Sequence, residues 1–265
     1  MGAVTNRCCM ILLASICLLL TGGCFSAVKI PMDTTFFYRA ESPRNHTLLV
    51  FLPGRGDTVK SFDRNGFVEA VRTAGVAADM LGVEAYEEYY RNRTIFMRLR
   101  EDVISPAIKQ GYRKIWLVGI SMGGLGALLY DSEYPGDLRG IIALAPYLGN
   151  VSILDEISQS GGLARWQPQP LADDDQEDRI IWRRLKLFGA PEKSAGRVYL
   201  GYGSDDRFAA TNRFFGTILP AEQVVSVPGG HDWQTWRLLW DALITGVLCD
   251  RGLAESAASP GAIPP

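Results

Sequence analysis

The stretch Lys114-Ile-Trp-Leu-Val-Gly-Ile120, running directly into Ser121-Met-Gly-Gly-Leu-Gly-Ala-Leu-Leu-Tyr130, constrains the fold more than any other part of the chain. A short, almost continuously apolar run suits a strand buried on both faces, and the segment after it reads as a helix despite its glycines. The same alternation recurs along the chain. His46–Leu52 is an apolar run closed by Pro53-Gly54, Val76–Ala85 is a weaker strand candidate, and Ile95–Gln110 reads as a helix. That helix has Thr94 as its cap, Ile95, Leu99, Val103 and Ile108 on one side, and a kink at Pro106. Further strands are expected at Gly140–Leu144, Arg197–Leu200 and Gln223–Val227, the last followed by a helix over Trp233–Leu248. Strands separated by helices predict an α/β fold whose mostly parallel sheet is covered on both faces.

The ends of the chain read differently. After Arg7, the apolar segment Cys8–Leu20 is shorter than the roughly 20 residues a spanning helix needs, and it has the form of a signal-peptide core. Thr21-Gly22-Gly23 then leads into Cys24, which resembles the lipobox of bacterial lipoproteins, although Thr21 stands where that motif usually has Leu. The resemblance implies removal of residues 1–23, a lipid on Cys24, and an exported protein anchored to the membrane of a bacterial envelope. The alternative is ordinary cleavage and a soluble periplasmic or secreted product. Of five cysteines, Cys8, Cys9 and Cys17 would leave with the signal, and lipidation of Cys24 would leave Cys249 without a disulfide partner. Residues 24–249 are expected to form one catalytic domain, and 250–265, rich in Ala, Ser, Gly and Pro, a loose tail. A formal net charge of −2 gives no electrostatic reason to expect nucleic acid as a partner. No metal-ligand spacing occurs, and nothing calls for an organic cofactor.

Candidate chemistry centres on Gly119-Ile-Ser121-Met-Gly123, a G-x-S-x-G sequence between a strand and a helix. A serine hydroxyl there needs a base to remove its proton as it attacks a carbonyl carbon. The chain has two histidines. His46 opens a buried strand and suits a cap or core role, whereas His231 follows a strand through Pro228-Gly229-Gly230, a loop that can present its ring at the sheet's edge. Between Ser121 and His231 in the chain, Gly203-Ser-Asp205-Asp206-Arg207 follows the Arg197–Leu200 strand and supplies a carboxylate to orient the ring. Neighbouring side chains in an extended segment point to opposite sides, so only one of the two carboxylates can face His231.

With nucleophile, acid and histidine in this order on successive strand ends, the chain resembles the α/β-hydrolase superfamily over nearly all of residues 28–249. More narrowly, Ser121-Met-Gly-Gly-Leu-Gly-Ala-Leu and Gly229-Gly-His-Asp-Trp-Gln-Thr-Trp236 resemble segments of the esterase group that includes esterase D and mycolyltransferases. The resemblance implies Asp206 rather than Asp205 as the acid, because many members place it three residues after a Gly. It implies an oxyanion hole from the backbone N–H of Met122 and a second from Leu52-Pro-Gly-Arg-Gly-Asp57, with Arg55 as the expected donor. It also implies hydrolysis of small-molecule carboxylic esters through an acyl-enzyme. Alternatives are a thioesterase, an acyltransferase, a peptidase of the same fold, or an inactive surface binding protein. Residues 147–194, between two strands, are where related proteins insert a cap or lid. Trp166 and Trp182 in that segment suit packing better than a pocket wall, and Asp173-Asp-Asp175 suits a solvated face.

Overall fold

The computed structural model describes residues 28–38, 46–168 and 177–247. Cys24, Asp173–Asp175, Cys249 and the tail therefore lie outside the described residues, as does the proposed signal segment.

Seven strands form one sheet: β1 (Thr34–Tyr38), β2 (Thr47–Leu52), β3 (Asp79–Val83), β4 (Lys114–Ile120), β5 (Gly140–Leu144), β6 (Val198–Gly203) and β7 (Val224–Val227). Their order is β1-β3-β2-β4-β5-β6-β7, with β1 antiparallel to β3 and every other pair parallel. The period of two along each strand divides the core. Leu48, Val50 and Leu52 of β2 join Ile115 and Leu117 of β4 in one apolar cluster. Leu49 and Phe51 join Trp116, Val118 and Ile120 in the other, on the opposite face. Both faces are covered by helices, which explains why these strands read as unbroken apolar runs.

Chain direction places the site. From β2 the chain steps outward to β3, then returns to lay β4 on the other side of β2. Loops leaving the carboxyl ends of β2 and β4 diverge there, opening the crevice in which α/β sheets bind ligands. Pro53–Asp57 follows β2, and Ser121 follows β4.

Three expectations are corrected. The helix expected over Ile95–Gln110 is Ile95–Arg98 and Ser105–Lys109 joined by a π-helical stretch, Leu99–Ile104. Pro106 has no N–H for the carbonyl of the preceding turn, and the wider stretch before it absorbs the mismatch while shifting the helix's phase. Ile95, Leu99 and Val103 remain buried, but Ile108 is 47% exposed. Thr94 makes no side-chain cap; its hydroxyl donates instead to the carbonyl of Tyr89. His46 is exposed rather than in the core, with Nδ1 3.0 Å from the Gly111 carbonyl oxygen.

Candidate active site

Ser121 stands between β4 and the helix Met122–Glu133 with φ 52° and ψ −114°, a conformation that L-residues adopt only when their surroundings enforce it. Glycines do the enforcing. A Cβ on Gly123 would overlap the backbone carbonyl of Leu52, one on Gly119 would overlap the backbone of Gly123, and one on Gly124 would come within 2.9 Å of the Pro146 ring. The turn is also tied to β5, since Ser121 N–H donates to Leu144 O at 2.9 Å and Tyr147 N–H donates to Ser121 O at 3.1 Å. Met122 is the first helical residue, so its N–H has no acceptor within the helix and lies at the positive end of the helix dipole.

His231 reaches this turn from the loop after β7. Its Nε2 lies 3.0 Å from Ser121 Oγ, and its Nδ1 lies 2.7 Å from Asp206 Oδ2. An ionised carboxylate only accepts, so Nδ1 carries the proton and Nε2 is left to accept from the serine hydroxyl. The Asp206 side chain is fully buried, and its other oxygen accepts the Phe208 N–H at 2.7 Å. Asp205 faces elsewhere, taking the Ser204 hydroxyl and the Gly229 N–H, both at 3.3 Å.

The imidazole is clamped by rings. Phe208 and Trp236 each stand edge-to-face with it at 4.9 Å between centroids. Tyr147 supports Phe208 at 5.4 Å, and Trp233 supports Trp236 at 5.2 Å. The loop's end is fixed by Asp232, whose carboxylate caps the helix Trp233–Leu243 by accepting the Thr235 N–H at 2.9 Å. This N–H, with those of Gln234 and Gly230, holds the Asp232 carboxyl below the usual carboxylate range. Trp233 Nε1 donates to Asp57 Oδ2 at 3.2 Å, tying this helix to the loop after β2.

A cleft of about 560 Å³ opens over Ser121, with Met122, Tyr147 and Phe208 among its walls and charged groups at its mouth. Arg55 belongs to this mouth, where its Nε donates to Glu87 Oε2 at 3.0 Å. Arg91 pairs with the same glutamate at 3.1 Å, and Arg207 lies over the Phe208 ring at 4.8 Å. Burial, with Asp178 and Glu177 nearby, raises the Tyr147 phenol above its ordinary pKa.

The segment 147–194 contributes Tyr147 and Glu177 to this cleft, but its tryptophans pack inside the protein. Trp166 is buried and donates to Glu156 at 2.9 Å, and Trp182 is buried edge-to-face against Phe214. Thus the structure brings together Ser121, His231, Asp206, Met122 and Arg55, and leaves Asp205 aside. Sequence reasoning gave no role to Phe208 and Trp236, or to Tyr90 and Glu177, which also line the cleft. Phe208 sits two residues beyond Asp206, but nothing in one dimension ties it to His231. Among the described residues, no group of three or more His, Cys, Asp or Glu is placed to hold a metal ion.

This sheet, this turn and its crevice define the α/β-hydrolase class. Residues 82–245 match the model of the family described as "Putative esterase", and the chain belongs to that family. An acetyl esterase from Caldicellulosiruptor saccharolyticus is 28% identical over 146 residues, covering 49% of this chain and 52% of that protein. The chain thus matches about half the length of this curated relative. Among solved structures, Est1E from Butyrivibrio proteoclasticus has a TM-score of 0.56 at 17% identity, covering 83% of this chain and 94% of that one. The S-formylglutathione hydrolase FrmB from Staphylococcus aureus has a TM-score of 0.53 at 13% identity, covering 84% and 100% respectively. At such identities these two likenesses bear on the fold alone.

Proposed function

We propose that this protein hydrolyses carboxylic esters through an acyl-enzyme, with Ser121 as nucleophile, His231 as general base and acid, and Asp206 as the residue that orients His231. The observation that carries this reading is the pair of contacts on one imidazole: Nε2 at 3.0 Å from Ser121 Oγ and Nδ1 at 2.7 Å from Asp206 Oδ2. Membership of an esterase family and similarity to an acetyl esterase support the ester as substrate.

In this mechanism Ser121 Oγ bonds to the ester carbonyl carbon while Nε2 takes its proton. Asp206 stabilises the imidazolium that results. Negative charge gathers on the former carbonyl oxygen, where the backbone N–H of Met122 and that of Arg55 are assigned as donors. Collapse breaks the bond to the alcohol oxygen, which leaves with the proton from Nε2. Water then attacks the acyl carbon, giving its proton to Nε2, and the acid departs as Ser121 recovers its hydrogen.

Ser121→Ala and His231→Ala should each lower ester turnover by on the order of a millionfold while the fold persists, because such residues act as a unit. That corresponds to about 8 kcal/mol of barrier. Near-normal turnover by a verified Ser121→Ala preparation would defeat the mechanism.

We also propose export with a lipid on Cys24, on the grounds of the short apolar segment and the small residues before that cysteine. Cys24→Ser should then move the protein from the membrane to the soluble fraction and abolish fatty-acid labelling. A wild type that takes up no fatty-acid label would refute the anchor.

A further inference from the structure

The cleft over Ser121 adjoins a second cavity of about 460 Å³, and the two share Tyr90, Arg91 and Glu177 as walls. Their chemistry differs. Charged groups stand beside Ser121 in the first, whereas in the second Ile95, Phe96, Leu125, Leu129, Ile180 and Ile181 form an apolar part, with Arg93 and Arg184 also on its wall. A common floor joins them, because Met122, Leu125 and Leu129 recur at three- and four-residue spacing along one side of the helix Met122–Glu133. At 1.5 Å per residue, Leu125 lies about 6 Å and Leu129 about 12 Å along the axis from Ser121.

Tyr90 stands at the boundary. Gly126 makes room for it, since a Cβ there would come within 2.6 Å of the phenol oxygen. Burial pushes this phenol's pKa well above its ordinary value, so the boundary stays uncharged. Arg91 and Glu177, both exposed, form the rim beside it.

We propose that the second cavity is a subsite for an apolar arm of the ester substrate, and that Tyr90 is the threshold the arm crosses and the residue that sets its accepted length. The inference rests on Ser121 acting as the nucleophile of an ester hydrolase. It adds a direction for the substrate: along the Met122 helix, from the cleft over Ser121 past Tyr90 and onto the apolar side chains of Leu125, Leu129 and Ile180. Each methylene moved out of water into that chamber favours the complex by a factor of about four at most.

The test compares kcat/KM for p-nitrophenyl acetate and p-nitrophenyl octanoate. The wild type should favour octanoate. Leu129→Trp and Ile180→Trp, which fill the chamber from two different helices, should each lower the octanoate-to-acetate ratio about tenfold or more, the loss expected when two or more methylenes are shut out. Tyr90→Ala, which opens the threshold, should raise the ratio. A ratio that stays at its wild-type value in both tryptophan variants, with acetate still hydrolysed, overturns the subsite while leaving the ester-hydrolase reading intact. A wild type that hydrolyses neither ester overturns that reading first, and this inference with it.

Discussion

The Ser121 turn is held by the absence of side chains, whereas the His231 loop is held by their presence. At the turn, Gly119, Gly123 and Gly124 let backbone approach backbone, and the positive φ of Ser121 follows from that contact. At the loop, one imidazole is gripped by Phe208, Trp236 and Asp206, while Asp232 and Trp233 pin its end. Packed backbone cannot give way, so a side chain added at these glycines should cost the fold. Side-chain contacts are separable, so errors at the loop should cost activity or small amounts of stability.

The largest effect should come from Gly123→Ala. Its Cβ would overlap the Leu52 carbonyl, a backbone group of a fully buried strand that has nowhere to move. Stability should fall by at least about 3 kcal/mol, the upper end of ordinary overpacking, and soluble yield with it. Denaturant titration checks this, and a fully stable Gly123→Ala would remove the distinction between the two regions.

Next comes the acid of the loop. Asp206→Asn should keep the fold but lower ester turnover on the order of ten-thousandfold, since an amide leaves the ring in the wrong tautomer. Asp205→Asn should cost far less, because its carboxylate meets Ser204 and the Gly229 N–H. Assaying both purified variants on one activated ester sharpens the comparison, and a severe defect confined to Asp205→Asn would reverse it.

The smallest effect concerns the cap. Asp232→Ala should destabilise by about 1 kcal/mol at neutral pH. The native carboxyl titrates below its unfolded value, so its stabilisation is present above about pH 4 and is lost as pH falls through the lowered native pKa. Thermal unfolding of the two proteins should therefore converge toward acid pH. A constant difference across that range would mean the carboxylate charge has no part in the cap.

Much of this was legible in one dimension, for reasons that particular residues show. β4 and β5 have the bounds read from the sequence, Lys114–Ile120 and Gly140–Leu144, because both are central strands whose burial on two faces forces continuous apolar runs. β1 was not legible: Thr34–Tyr38 is an edge strand, largely exposed, so burial imposes no pattern on it. The meeting of Ser121, Asp206 and His231 follows from chain order, since parallel strands deliver their carboxyl ends to one edge of the sheet. Contacts made across the fold leave no such trace. Tyr90 meets Gly126 and Phe208 meets His231 only because helices and loops distant in sequence pack there. The short helices after β5 were likewise hidden, since Ile153–Gln159 and Glu177–Leu185 are too brief for a sustained apolar period.

Covalent trapping tests most directly the proposal that Ser121 is the activated hydroxyl. The wild type, treated with a fluorophosphonate and digested, should carry one adduct, on the peptide containing Ser121, with hydrolysis lost in proportion to labelling. Ser121→Ala and His231→Ala should label negligibly. An adduct on another residue, or labelling of Ser121→Ala at the wild-type rate, would contradict the account.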